Sequence, residues 1–181
     1  AKNNLFGHVR LSISDTDSRS NQPFVSPDER YHLIFNGEIY NFHELKNELI
    51  NQGVQFKTSS DTEVLFHLLI KEGKSCVEKL NGFFAFAFHD SQTNKTLIVR
   101  DRMGIKPLYY FETDSSILFA SELKPISKLL DKKRLSKEAL QLFFELTYIP
   151  APYAIFENVF KLEPGELIEI ENGSLKKEKY Y

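Results

Sequence analysis

The stretch Phe35-Asn36-Gly37-Glu38-Ile39-Tyr40-Asn41 sets a carboxamide beside a glycine where the apolar run Leu33-Ile34-Phe35 gives way to polar residues. At such a point a side-chain amide N–H and a backbone N–H can face the same way, and glycine lets a ligand approach the backbone closely. Two convergent neutral donors describe an oxyanion hole; a plain Asn-Gly turn at the end of a strand fits the same residues. Arg10 brings a planar guanidinium, either a solvated surface charge or a bidentate clamp for a carboxylate. Asp61, closing Thr58-Ser59-Ser60-Asp61, brings a carboxylate that either caps the following helix or receives the ammonium group of a ligand. His67, inside the apolar segment 62–70, reads as a satisfied core histidine. Cys76 has no His or acid cluster around it at metal-ligand spacing and no nucleophile motif, so it reads as a small buried hydrophobe. Arg100, Arg102 and Lys106 lack the glycine-rich cradle of a phosphate site, and ion pairing with Asp101 is the expectation there.

These residues need elements to hold them. Residues 5–13 alternate Val9, Leu11 and Ile13 with His8, Arg10 and Ser12, which predicts a half-buried strand with Arg10 on its polar face. Residues 15–30, rich in Asp, Ser and Asn with two Pro, predict a surface loop. A helix is expected after the Asn36 turn, running to about Asn51 with Gly53 as its stop signal, and a second over 62–70. The segment 83–90 alternates large Phe with small Ala, suiting a strand pressed between two layers; with 96–100 it forms a central hairpin. A second hairpin joins 108–111 to 117–120. Helices follow over 122–130 and 136–146, the latter capped by Ser136, until Tyr148-Ile149-Pro150-Ala151-Pro152 breaks the run. Short strands at 155–156 and 166–170 close an α+β layered domain.

With 181 residues, 41% hydrophobic and 27% charged, the chain can bury one substantial core. A formal net charge of -2 argues against a nucleic-acid footprint. No apolar run is long enough for a bilayer, so no membrane partner is expected. One cysteine forbids an internal disulfide, which fits a reducing compartment, and without a signal peptide the cytoplasm is the default. A first residue other than Met and the terminal pair Tyr180-Tyr181 suggest a piece of a longer protein.

Taken together, His8-Val-Arg10-Leu-Ser-Ile, Asn21-Gln-Pro, Phe35-Asn-Gly-Glu-Ile-Tyr-Asn, Ser60-Asp-Thr-Glu, Leu80-Asn-Gly-Phe-Phe-Ala-Phe-Ala, Arg100-Asp-Arg-Met-Gly-Ile-Lys-Pro-Leu-Tyr-Tyr, Phe119-Ala-Ser-Glu-Leu-Lys and Leu162-Glu-Pro-Gly resemble the glutamine-hydrolysing domain of the asparagine synthetase family, a class II glutamine amidotransferase. The resemblance spans nearly all of residues 1–181, read as one domain truncated at its N-terminus. It implies the N-terminal-nucleophile hydrolase fold, a four-layer αββα sandwich of two antiparallel sheets. It further implies that L-glutamine is held as a zwitterion, Arg10 on its α-carboxylate and Asp61 with Glu38 on its α-ammonium. The backbone of Leu11, Ser12, Ile13 and Ser14 would line the pocket, and Asn36 and Gly37 would form the oxyanion hole.

The family's nucleophile is a leading cysteine in a Cys-Gly-Ile segment, with the chain's own α-amine relaying the proton. Neither that segment nor the Arg-Gly-Pro-Asp stretch that follows it is present in this sequence. The chain as written is therefore expected to lack glutaminase activity, and Cys76 has no α-amine with which to substitute. The C-terminal synthetase domain, with its Ser-Gly-Gly-x-Asp-Ser loop, is also absent. ATP and Mg are expected only there, with no cofactor or metal in this chain. A homodimer is left open. The alternative is a non-catalytic module on the same scaffold that holds glutamine or docks a partner.

Overall fold

The computed structural model describes residues 5–8, 21–113, 116–171 and 173–181. In chain order these form β1 (Phe24–Val25), β2 (Tyr31–Ile39), α1 (Phe42–Asn51), α2 (Asp61–Glu72), a 3-10 helix (Gly73–Lys79), β3 (Gly82–Asp90), β4 (Lys95–Arg100), β5 (Tyr109–Glu112), β6 (Ile117–Ala120), α3 (Leu123–Leu129), α4 (Lys137–Leu146), β7 (Val159–Lys161), β8 (Glu166–Glu171) and β9 (Ser174–Lys179).

The strands make two antiparallel sheets, a larger one ordered β1-β2-β3-β4-β8-β9 and a smaller one ordered β6-β5-β7. Alternation along β3 sets the layers, because successive side chains of a strand point to opposite faces. Phe84, Phe86 and Phe88 join Leu33, Phe35 and residues of α1 and α2 in one core cluster. Ala85 and Ala87 face the other way, into a second cluster with Leu108 and Tyr110 of the smaller sheet's side. A third cluster, built on Ile126 of α3 and Val159 of β7, covers the far face of the smaller sheet. Helix, sheet, sheet, helix is therefore the order of the layers, as expected for the αββα sandwich. No helix among the described residues is long and apolar enough to cross a membrane.

Several elements differ from the sequence reading. Asn36 and Gly37 lie inside β2, whose pairing with β3 continues from Tyr31↔Asp90 to Ile39↔Gly82. Gly37 is there because β3 comes very close: a Cβ on it would lie 2.1 Å from the carbonyl oxygen of Phe83. The expected strand at 155–156 is an isolated bridge, Leu135↔Phe156, and the sheet is extended instead by β7. Strand β9, Ser-Leu-Lys-Lys-Glu-Lys, carries too few apolar residues to announce itself; it is an edge strand paired to β8 through its backbone. The strand expected over 5–13 and Arg10 on it fall largely outside the described residues.

Candidate functional site

Along β2 the backbone groups of alternate residues face β3 or the opposite edge. On that opposite edge Leu33 is paired with Phe24 of β1. Two residues on, pairing passes from a strand to a side chain. The Gln22 carboxamide accepts from the Phe35 N–H at 2.5 Å and donates to the Phe35 carbonyl at 2.9 Å, imitating a neighbouring strand. At the far end Asp61 Oδ2 accepts from the Ile39 N–H at 3.0 Å. Between these clamps the N–H of Gly37 points out of the same edge, and no described residue accepts from it.

Asp61 is free for this because it is not the cap of α2. Ser60 is: its side chain accepts from the Glu63 N–H. Glu63, 2% exposed, reaches back to accept from the N–H groups of Lys57 and Thr58 and from the Thr58 hydroxyl. With Ser60 capping the helix and Glu63 holding the segment before it, Asp61 is turned toward β2. Burial raises its pKa, and the Glu38 carboxylate adds to the rise, against the N–H donors of Ile39 and Thr62, which lower it. Among the described residues no Lys or Arg forms an ion pair with Asp61 or Glu38. Two adjacent acids, one of them largely withdrawn from water, make a place where a cation would relieve both burial and repulsion.

Asn36, Gly37, Glu38 and Asp61 line one cavity of about 770 Å³ that lies between the two sheets. Gln22, Ser60, Ser121 and Lys106 also line it, as do Ala85 and Ala87, whose small side chains leave the room. Asn36 turns its side chain toward the smaller sheet, donating from Nδ2 to Ser121 Oγ at 3.2 Å. Lys106 Nζ lies 5.1 Å from the centre of the Phe83 ring.

Four of the residues singled out in the sequence thus come together. Arg10, Leu11, Ser12, Ile13 and Ser14 lie outside the described residues. The sequence does not single out Gln22 and Ser121 as site residues, although each lies inside one of the motifs of the resemblance, Asn21-Gln-Pro and Phe119-Ala-Ser-Glu. Cys76 is away from the cavity, in the core between the helices and the larger sheet, where burial pushes its thiol up to about 12. His67 sits at the edge of that core, its pKa lowered by burial, with Nε2 3.8 Å from Glu63. Arg100 and Asp101 are not joined as an ion pair. The guanidinium donates to the carbonyls of Gly104, Lys106 and Leu162, and the carboxylate accepts from the N–H groups of Phe84, Met103, Ile105 and Lys106. No group of three or more His, Cys, Asp or Glu that could hold a metal ion occurs among the described residues.

A family model described as a glutamine amidotransferase domain matches residues 1–181. The chain is 35% identical over 192 residues to a protein of Methanocaldococcus jannaschii named putative asparagine synthetase (glutamine-hydrolyzing) 2, covering 97% of this chain and 37% of that protein. It is 38% identical over 177 residues to asparagine synthetase (glutamine-hydrolyzing) 1 of Bacillus subtilis, covering 97% of this chain and 28% of that one. The chain therefore spans about a third of the length of the curated relatives it matches. Among solved structures, the glutamine phosphoribosylpyrophosphate amidotransferase of B. subtilis, complexed with ADP and GMP, superposes with a TM-score of 0.65 at 27% identity, covering 96% of this chain and 34% of that one.

Proposed function

This chain belongs to the glutamine amidotransferase domain family, and we propose from that premise that the cavity between β2 and the smaller sheet binds L-glutamine so that its side-chain amide can be hydrolysed. One observation carries the proposal: the Gly37 N–H, the Asn36 carboxamide and two carboxylates, Glu38 and Asp61, that no Lys or Arg among the described residues pairs with, line a single cavity. Glutamine presents a matching set of groups. Its α-ammonium answers Asp61 and Glu38, and its δ-carbonyl oxygen answers Gly37 and Asn36. Its α-carboxylate is assigned to Arg10, with the backbone of residues 11–14 alongside.

In amide hydrolysis through a thiol, a thiolate adds to the carbonyl carbon and the oxygen takes up negative charge. The C–N bond then breaks as nitrogen takes a proton relayed by the thiol residue's own α-amine and leaves as ammonia, and water cleaves the thioester that remains, giving glutamate and returning the thiol. On this reading the N–H of Gly37 and Nδ2 of Asn36, both on the cavity wall, donate to that oxygen. One such donor is typically worth about 100- to 1,000-fold in rate. Cys76, the chain's single cysteine, cannot supply the nucleophile, being buried on the other side of the larger sheet and hard to ionise. The thiol of the full reaction is a leading cysteine, and residues 1–181 by themselves hold glutamine without hydrolysing it.

The chain would serve as the glutaminase part of an asparagine synthetase acting in the cytoplasm. A C-terminal synthetase domain, using ATP and Mg, would consume the ammonia. Titration calorimetry with L-glutamine, beside an assay for released ammonia, is the test. Binding of L-glutamine, loss of binding for the analogue lacking the α-amine, and no ammonia are expected. Failure to bind, or release of ammonia by this polypeptide, would overturn the proposal.

A further inference from the structure

Asn36 and Ser121 are 85 residues apart in sequence, Asn36 in β2 of the larger sheet and Ser121 in the turn that follows β6 of the smaller one. Their hydrogen bond, Asn36 Nδ2 to Ser121 Oγ at 3.2 Å, spans the cavity between the sheets. A primary amide carries two hydrogens on one planar nitrogen. Once the first is committed to Ser121, the plane of the amide is set, and the second is directed along one line instead of sweeping a cone. A serine hydroxyl suits this work, since its oxygen accepts from Asn36 while its own hydrogen stays free to turn elsewhere.

We propose that Ser121 is a positioning residue: by accepting from Asn36 it aims the remaining Nδ2 hydrogen at the carbonyl oxygen of the bound amide. The proposal rests on the glutamine reading above and adds to it the element that fixes its side-chain donor. It gives a role to Phe119-Ala-Ser121-Glu, which glutamine binding alone did not use. It also makes the spacing of the two sheets part of the site, because Asn36 would lose its fixed direction if the smaller sheet moved away.

Two ligands separate positioning from scaffold support. L-Glutamine has the zwitterion and the side-chain carbonyl, whereas L-norvaline keeps the zwitterion and ends in a methyl group. Calorimetry on the whole chain is expected to show that Ser121→Ala weakens L-glutamine by roughly three- to tenfold, the worth of one aligned hydrogen bond. L-Norvaline should be unaffected, and Ser121→Thr should restore glutamine binding. Equal loss for both ligands, or no loss for either, overturns the proposal.

A measurement on the unaltered chain covers the case in which Ser121→Ala does not fold. Of the two Asn36 side-chain NH₂ proton resonances, one should shift on adding L-glutamine while the other, bonded to Ser121, holds still. Comparable shifts in both refute the assignment. If the unaltered chain binds no L-glutamine at all, the glutamine reading fails first, and that result is in hand before any variant is made.

Discussion

At Asp61 folding and ligand binding pull in opposite directions. Burial, with the Glu38 carboxylate beside it, raises the pKa of Asp61 in the folded chain. As pH climbs through the unfolded carboxyl value of about 3.9, the unfolded chain gives up its proton first. Between that value and the raised folded one, the folded state holds more protons, so stability falls with rising pH and stays at the lower level above the window. Asp61→Asn removes this penalty and keeps an oxygen for the Ile39 N–H. The thermal midpoint at pH 7 is therefore expected at or above that of the unaltered chain. Glutamine should meanwhile bind about thirtyfold more weakly or worse, corresponding to about 2 kcal/mol for a lost charge partner. A marked fall in the midpoint would make Asp61 a structural acid instead. In the unaltered chain affinity should start to fall, on acidification, at a higher pH than an ordinary carboxylate would dictate. Asn36, Gly37 and Asp61 were legible as residue types because amide, glycine and acid are chemically explicit. Gln22 was not, since its role depends on replacing a strand at one register position.

At the scale of elements, the turn after β4 joins the larger sheet to the cavity wall. Asp101 is fully buried and gathers the N–H groups of Phe84, Met103, Ile105 and Lys106 around one carboxylate. Arg100 ties the same turn to three carbonyls. The sequence suggested that two neighbouring opposite charges would pair with each other. Yet each instead satisfies backbone groups that a tight turn cannot bond internally, which adjacency in sequence cannot reveal. Asp101→Ala would strand four donors, so a loss on the order of 3 to 5 kcal/mol is expected in denaturant unfolding. Amide exchange should accelerate at residues 103–106 before it does in β3; unchanged exchange there would mean that water replaces the carboxylate without penalty. Legibility elsewhere followed the strength of the local pattern. The Phe/Ala alternation of β3 and the Ser caps of α2 and α4 each encode their element locally. Strands β7 and β9 exist only because a partner strand is already in place. β2 runs on through Asn36 and Gly37 because the approach of β3, not local turn preference, decides the backbone there.

Across the whole molecule the two helical layers are unequal. Seven residues of α2 are buried, from Thr62 to Leu69, and the helix packs in the largest core cluster. Of α4 only Ala139 is buried, while Phe143 is 46% and Phe144 80% exposed. Stability within a fold follows this density of buried apolar contact, and regions with little of it open locally at low free energy. Amides of α2 and of the central strands β3 and β4 should therefore exchange only through global unfolding, and those of α4 through a much cheaper local opening. Point substitutions should divide the same way. Leu65→Ala, in α2, is expected to cost about 2 to 5 kcal/mol through the cavity it leaves. Phe144→Ser should stay within about 0.5 kcal/mol, because the ring it removes is already in water. Protection in α4 equal to that in α2, or a large loss from Phe144→Ser, would mean that the outer helix is bound into the common core far more tightly than its exposure implies.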